Sequence, residues 1–135
     1  MSKVLIVDDD EGLLFLLGEY LDSCGFQFDL ANNVKKAREY LRESKYEVII
    51  SDLEMPGESG FDLFRYVAAL YPEIRFVLMT GRLDSRIRRE ALRMGIQGYM
   101  EKPFRLSDLI TLIGAPVSHV CGGRHSTQDG LAVNH

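Results

Sequence analysis

With 135 residues the chain is expected to fold as one domain, burying roughly two-thirds of its unfolded surface. A composition of 46% hydrophobic and 27% charged residues is that of a soluble globular protein, and a net charge of −4 offers no basic stripe for nucleic acid. Cys24 and Cys121 are too few for a disulfide framework and match no zinc spacing, and no apolar run approaches the ~18 residues of a membrane span. Met1-Ser2-Lys3 leads directly into a strand with no room for a signal peptide, so a cytoplasmic location is expected.

Val4 to Val7 reads as a buried strand closed by the acids Asp8 and Asp9. Asp10 or Glu11 opens a helix to about Cys24, stopped by Gly25, with Leu13, Leu16, Leu17, Tyr20, Leu21 and Cys24 as its core stripe. Cys24 on this stripe is expected to be a buried thiol. Leu14 and Phe15 fall outside it, so either the stripe is wide or they are exposed. Phe26 to Leu30 alternates apolar and polar, as a half-buried strand near a sheet edge does. Asn32-Asn33 caps a helix from about Val34 to Arg42, facing inward with Val34, Ala37, Tyr40 and Leu41.

Glu47 to Ser51 is a third strand, delivering Asp52 at its end. Pro56-Gly57 and Ser59-Gly60 make the following loop, and Phe61 to Leu70 a helix with Leu63, Phe64, Val67 and Leu70 available to the core; Pro72 prevents its continuation. Arg75 to Met79 is a fourth strand, followed by Thr80. Asp84 or Ser85 caps a basic helix to about Met94, with Gly95 as its stop. Gln97 to Met100 is a short fifth strand, and Ser107 starts a last helix, Asp108 to Ile113, ended by Gly114 and Pro116. Periodicity then vanishes, so residues 1–115 are expected to form the domain and 116–135 a flexible tail or linker remnant. The irregular spacing of His119, His125 and His135 argues against a metal site there.

Strands alternating with helices predict an α/β fold on a five-stranded parallel sheet with helices on both faces. In such a sheet the ligand crevice lies outside the carboxyl ends of the strands, where Asp8, Asp9, Asp52, Thr80 and Lys102 all fall. Three carboxylates held together repel one another and call for a hard cation, Mg²⁺ or alternatively Mn²⁺. A metal beside a carboxylate suits phosphoryl transfer, with the carboxylate as nucleophile, Lys102 as a point charge and Thr80 as a hydroxyl donor. Lys102 precedes Pro103, a bond that is either cis or trans; sequence does not decide which.

Val7-Asp8-Asp9-Asp10, Asp52 with Met55-Pro56-Gly57 and Gly60, Met79-Thr80-Gly81, and Gly98-Tyr99-Met100-Glu101-Lys102-Pro103-Phe104 together resemble the receiver domain of two-component response regulators. The resemblance covers about residues 2 to 113. It implies a flavodoxin-like, doubly wound sheet of order 2-1-3-4-5, with Asp52 as phosphoacceptor fed by a sensor histidine kinase or a histidine phosphotransfer protein. It further implies Mg²⁺ held by Asp8, Asp9, Asp52 and the Glu54 backbone carbonyl, and phosphoryl binding by Lys102 and Thr80. Tyr99 would move inward with Thr80, switching the surface of the fourth helix, last strand and last helix. Glu54 and Arg82, each two positions beyond a site residue, are expected to tune phosphoryl lifetime. The resemblance places the first helix at the donor's docking surface, which makes the apolar pair Leu14 and Phe15 candidates for that contact. The expected activity is self-catalysed phosphotransfer with slow autodephosphorylation, not enzyme turnover.

The last helix is apolar and short (Leu109, Ile110, Leu112, Ile113), unlike the longer charged helix of receivers that dimerise on DNA, so no nucleic-acid contact is expected. Arg82, Arg86, Arg88, Arg89 and Arg93 form a basic face, either solvated or meeting an acidic partner. An aspartate-nucleophile phosphohydrolase of haloacid-dehalogenase type is the alternative function. It wants a second acid two residues after the nucleophile, as Asp10 and Glu54 are placed, but the chain has no room for a cap domain. A flavodoxin-type binder is excluded, because Asp8-Asp9-Asp10 would repel a cofactor phosphate.

Overall fold

A computed structural model describes residues 3–96, 98–114 and 132–133. Five strands form one parallel sheet of order β2-β1-β3-β4-β5: β1 (Lys3–Val7), β2 (Gln27–Ala31), β3 (Val48–Asp52), β4 (Arg75–Thr80) and β5 (Gly98–Glu101). Five helices alternate with them: α1 (Glu11–Ser23), α2 (Val34–Glu43), α3 (Gly60–Leu70), α4 (Ser85–Met94) and α5 (Leu106–Ile113). The fold class and strand order are those expected from the sequence.

Strands β1, β3 and β4 are covered on both faces, which is why they read as continuous apolar runs. Val4, Ile6, Val48, Ile50, Val77 and Met79 face α1 and α5, joining Leu13, Leu17, Leu21, Leu109 and Ile113. Leu5, Val7, Ile49, Phe76 and Leu78 face the other way, toward Val34, Ala37, Leu63, Val67 and Ala91 of α2, α3 and α4. This alternation along each strand is the period of two of extended backbone.

Helix starts are set locally. Asp10, Asn33, Ser59 and Asp84 each accept a backbone N–H from the first turn of the next helix, and Ser59 with Asp62 completes a capping box. Gly95, at φ 90°, closes α4 in the left-handed conformation.

The α1 stripe differs from expectation. Leu14 is buried, whereas Leu16 is exposed and Phe15 is 68% exposed. At 3.6 residues per turn, Leu13, Leu14, Leu17, Tyr20, Leu21 and Cys24 span one face, while Leu16 lies about 100° from Leu17. The i+3 match of Leu16 to Leu13 placed it on the wrong edge. Leu70 is also exposed, at the last residue of α3, where the helix has passed the edge of the core. Cys24 is buried as expected, yet it is disulfide-bonded rather than a thiol.

Within the stretch expected to lack structure, Ala132–Val133 forms a short strand, β7, antiparallel to β6 (Phe104–Arg105). The remainder of 115–135 and its histidines lie outside the described residues.

Candidate phosphoryl-transfer site

Register brings the site together. Val7 pairs with Ser51, so Asp8 and Asp52, each one residue further, end level on adjacent strands. Asp52 pairs with Met79, and Thr80 pairs with Glu101, which sets Lys102 just beyond. Backbone bonds fix these ends: Asp8 N–H donates to Ala31 (3.0 Å), Leu53 N–H to Met79 (2.7 Å) and Lys102 N–H to Thr80 (2.8 Å). The Lys102–Pro103 peptide is cis.

Asp8, Asp9 and Asp52 each offer an oxygen within 4.8 Å of the others. Asp8 and Asp52 are buried, and Asp9 is exposed. The Lys102 ammonium lies 3.0 Å from Asp8 Oδ2 and 3.2 Å from Asp52 Oδ1. Asp8 Oδ1 also accepts the Asp10 N–H at 2.9 Å. Burial first, and then the Asp8 charge, pushes the Asp52 carboxyl up to about 6, despite Lys102. Burial likewise raises Asp8, opposed by the Asp10 N–H and by Lys102. Burial alone would lower Lys102; its two carboxylates outweigh this and raise it.

Three carboxylates against one ammonium are under-neutralised, with one of them open to solvent. The donor set is all oxygen, and the crowding is what a divalent cation relieves, so these residues fit Mg²⁺.

Thr80 is fully buried, and its hydroxyl donates to the Glu54 carboxylate, at 3.0 Å from Oε2 and 3.3 Å from Oε1. The Arg82 N–H in turn donates to Thr80 Oγ1 at 3.1 Å. Tyr99 is 36% exposed, with the Arg88 guanidinium carbon 5.6 Å from its ring centroid. Arg82 is exposed at the rim.

Two supports were not foreseen. A Cβ on Gly60 would come 2.5 Å from the Asp52 carbonyl oxygen, so only glycine lets α3 start beside the strand end. Arg38 of α2 reaches the Asp52-to-α3 loop, pairing with Glu58 at 2.5 Å while its guanidinium carbon lies 4.9 Å from the Tyr66 ring centroid. The only signal for Gly60 was its place in the resemblance; for Arg38 there was none. Of the docking candidates Leu14 and Phe15, Leu14 is inside, as a wider core stripe requires, and Phe15 and Leu16 are the exposed pair.

The family model described as "Response regulator receiver domain" matches residues 4–114. Among curated relatives, the response regulator protein FleR of Pseudomonas aeruginosa is 33% identical over 114 residues, 83% of this chain and 24% of that protein. The transcriptional regulatory protein RprY of Bacteroides fragilis is 29% identical over 91% of this chain and 52% of that protein. The chain thus spans about a quarter to a half of these relatives' length. Among solved structures, the Vibrio cholerae chemotaxis protein CheY4 superposes with a TM-score of 0.79 at 26% identity, covering 84% of this chain and 96% of that one. The response regulator TrrA of Thermotoga maritima, in complex with Mg²⁺ and BeF, gives 0.74 at 27% identity over 84% and 96%. No helix among the described residues is long and apolar enough to cross a membrane. On the family match over most of its length, and on a sheet that ends in these acids, threonine and lysine, the chain belongs to the response regulator receiver domains.

Proposed function

We propose that this chain accepts a phosphoryl group on Asp52 from a sensor histidine kinase or a histidine phosphotransfer protein and passes the signal to its own surface. The observation that carries this reading is the Asp8–Asp9–Asp52 cluster with Lys102 between its two buried members. Asp8, Asp9, Asp52 and the Glu54 backbone carbonyl are the groups that would hold Mg²⁺, which would offset charge on the transferring group. An Asp52 oxygen attacks phosphorus; the new P–O bond forms as the P–N bond to the donor histidine breaks. The imidazole nitrogen leaves with its electron pair and takes a proton. Lys102 supplies a fixed positive charge within reach of Asp52, and the Thr80 hydroxyl is the donor for a phosphoryl oxygen. The Tyr99 ring then follows Thr80 inward, altering the α4, β5 and α5 surface.

Donor docking falls to Phe15 and Leu16, the apolar pair that α1 leaves in solvent. On the output side, α4 leaves Leu92 77% exposed, with the exposed Arg88 and Arg89 one turn before it, a surface suited to an acidic partner with an apolar anchor. The phosphohydrolase reading is disfavoured by the use of its would-be acids. The Asp10 carboxylate caps α1, accepting the Leu13 N–H at 3.1 Å, and Glu54 is engaged by Thr80.

Incubation with a small-molecule phosphodonor, with Mg²⁺ or with chelator, followed by intact mass, tests the reading. One phosphoryl adduct is expected, dependent on Mg²⁺ and absent from Asp52→Asn. An adduct that persists in Asp52→Asn, or multiple turnover of the donor without an adduct, overturns it.

A further inference from the structure

The fate of a single proton, that of the Thr80 hydroxyl, separates this chain's resting state from the state that binds a phosphoryl group. Thr80 is fully buried, so water cannot replace a lost partner, and leaving its hydroxyl unbonded is costly. In the structure that proton is given to Glu54, through a hydrogen bond strengthened by the acceptor's charge. The other acceptor in range, the Arg82 carbonyl, lies at 3.4 Å, a weaker contact. Glu54 itself is exposed, so its carboxylate can swing into solvent without desolvation.

We propose that Glu54 is a positioning residue that latches Thr80 in the resting conformation, and that the receiver switches when this hydrogen bond is exchanged for one to the phosphoryl group. The proposal rests on Asp52 as phosphoacceptor only for what releases the latch. Phosphorylation replaces the single carboxylate charge of Asp52 with a phosphoryl group carrying about −1.5 to −2 at pH 7, at a site where the Glu54 charge already opposes that of Asp52. The new oxygens therefore repel Glu54 while offering Thr80 a better acceptor. Both effects push in one direction, so they add in shifting the Thr80 equilibrium toward the phosphoryl-bound position. Because Tyr99 stands on the strand paired with Thr80, at register Leu78↔Tyr99 and Thr80↔Glu101, releasing the latch alone moves its equilibrium.

The chain has three threonines, Thr80, Thr111 and Thr127, so methyl-labelled threonine reports on Thr80 with little overlap. In unphosphorylated protein with Mg²⁺, Glu54→Ala is expected to shift the Thr80 methyl and Tyr99 ring resonances toward their positions in phosphorylated wild type. Phosphorylation by a small donor should speed up roughly threefold or more, with Glu54→Gln, a neutral acceptor, in between. In a Thr80→Val background, Glu54→Ala should leave Tyr99 unmoved. An unmoved Tyr99 in the single variant, or an equal shift in the Thr80→Val background, overturns the latch. Failure of Asp52 to take a phosphoryl group registers separately, by mass. The Thr80-dependent movement of Tyr99 in unphosphorylated protein is read independently of it.

Discussion

Gly60 and Asp52 touch through backbone: a methyl group on Gly60 would sit 2.5 Å from the Asp52 carbonyl oxygen and 3.0 Å from the Leu53 Cα. Neither neighbour is a flexible side-chain end, so the strand end or the start of α3 must shift. Gly60→Ala is expected to cost about 1–3 kcal/mol, read by chemical denaturation. It should also reduce the rate of Asp52 phosphorylation at a temperature where the variant remains folded. An alanine variant with wild-type stability and rate would show that the close approach is not needed.

The buried acids give a pH dependence of definite sign. A carboxyl at about 6 in the fold, against its usual 3.8, binds its proton more tightly folded than unfolded. The fold therefore loses stability as pH rises from about 4 to about 6 and carries the penalty above that window. In metal-free protein at pH 7.5, Asp52→Asn is expected to raise Tm by about 5 °C, an advantage that disappears at pH 4. Added Mg²⁺ should raise the wild-type Tm more at pH 7.5 than at pH 5, and raise that of Asp52→Asn little at either. Calorimetry across these conditions is the check.

Phe15 and Leu14, adjacent in sequence, should fail in different ways. Phe15→Asp or Leu16→Asp should lower phosphotransfer from the cognate kinase about tenfold or more, leaving Tm and the small-donor rate unchanged. Leu14→Asp places a charge inside and should cost about 3 kcal/mol or more. Equal loss from both donors in Phe15→Asp would remove α1 from the docking surface.

Arg82 lies two residues beyond Thr80, with its side chain exposed. Arg82→Ala is expected to change the phosphoryl half-life roughly threefold, since a charged rim side chain is worth under a kilocalorie or so. Its N–H contact to Thr80 is backbone and survives the substitution. An unchanged half-life would remove Arg82 from rate control.

The sheet was legible because strands buried on both faces need unbroken apolar runs, and each run ended on a polar group that register then aligned. Asp8, Asp52, Thr80 and Lys102 could be named for that reason alone. What stayed hidden depends on angle or reach rather than on order along the chain. Leu16 satisfied the i+3 rule yet lies at the margin of its helix, and only the third dimension turned Leu14 inward. Glu54 could be placed near the site by counting, but the direction of its carboxylate could not. The Arg38–Glu58 pair spans 20 positions between surface charges that no pattern couples. Cys24 fitted the α1 stripe by spacing, which speaks to burial and not to bonding.

Helix α4 contributes one fully buried side chain, Ala91, with Ile87 and Met94 only partly covered. Its neighbour α3 buries Leu63, Phe64 and Val67. An alanine methyl anchors a helix far more weakly than large apolar side chains do, since attachment scales with the apolar area removed from water. Of the elements bordering Thr80 and Tyr99, α4 is therefore the one a coupling of about 1–3 kcal/mol can displace. The helix carrying the exposed arginines and Leu92 is thus the most weakly anchored of the described helices.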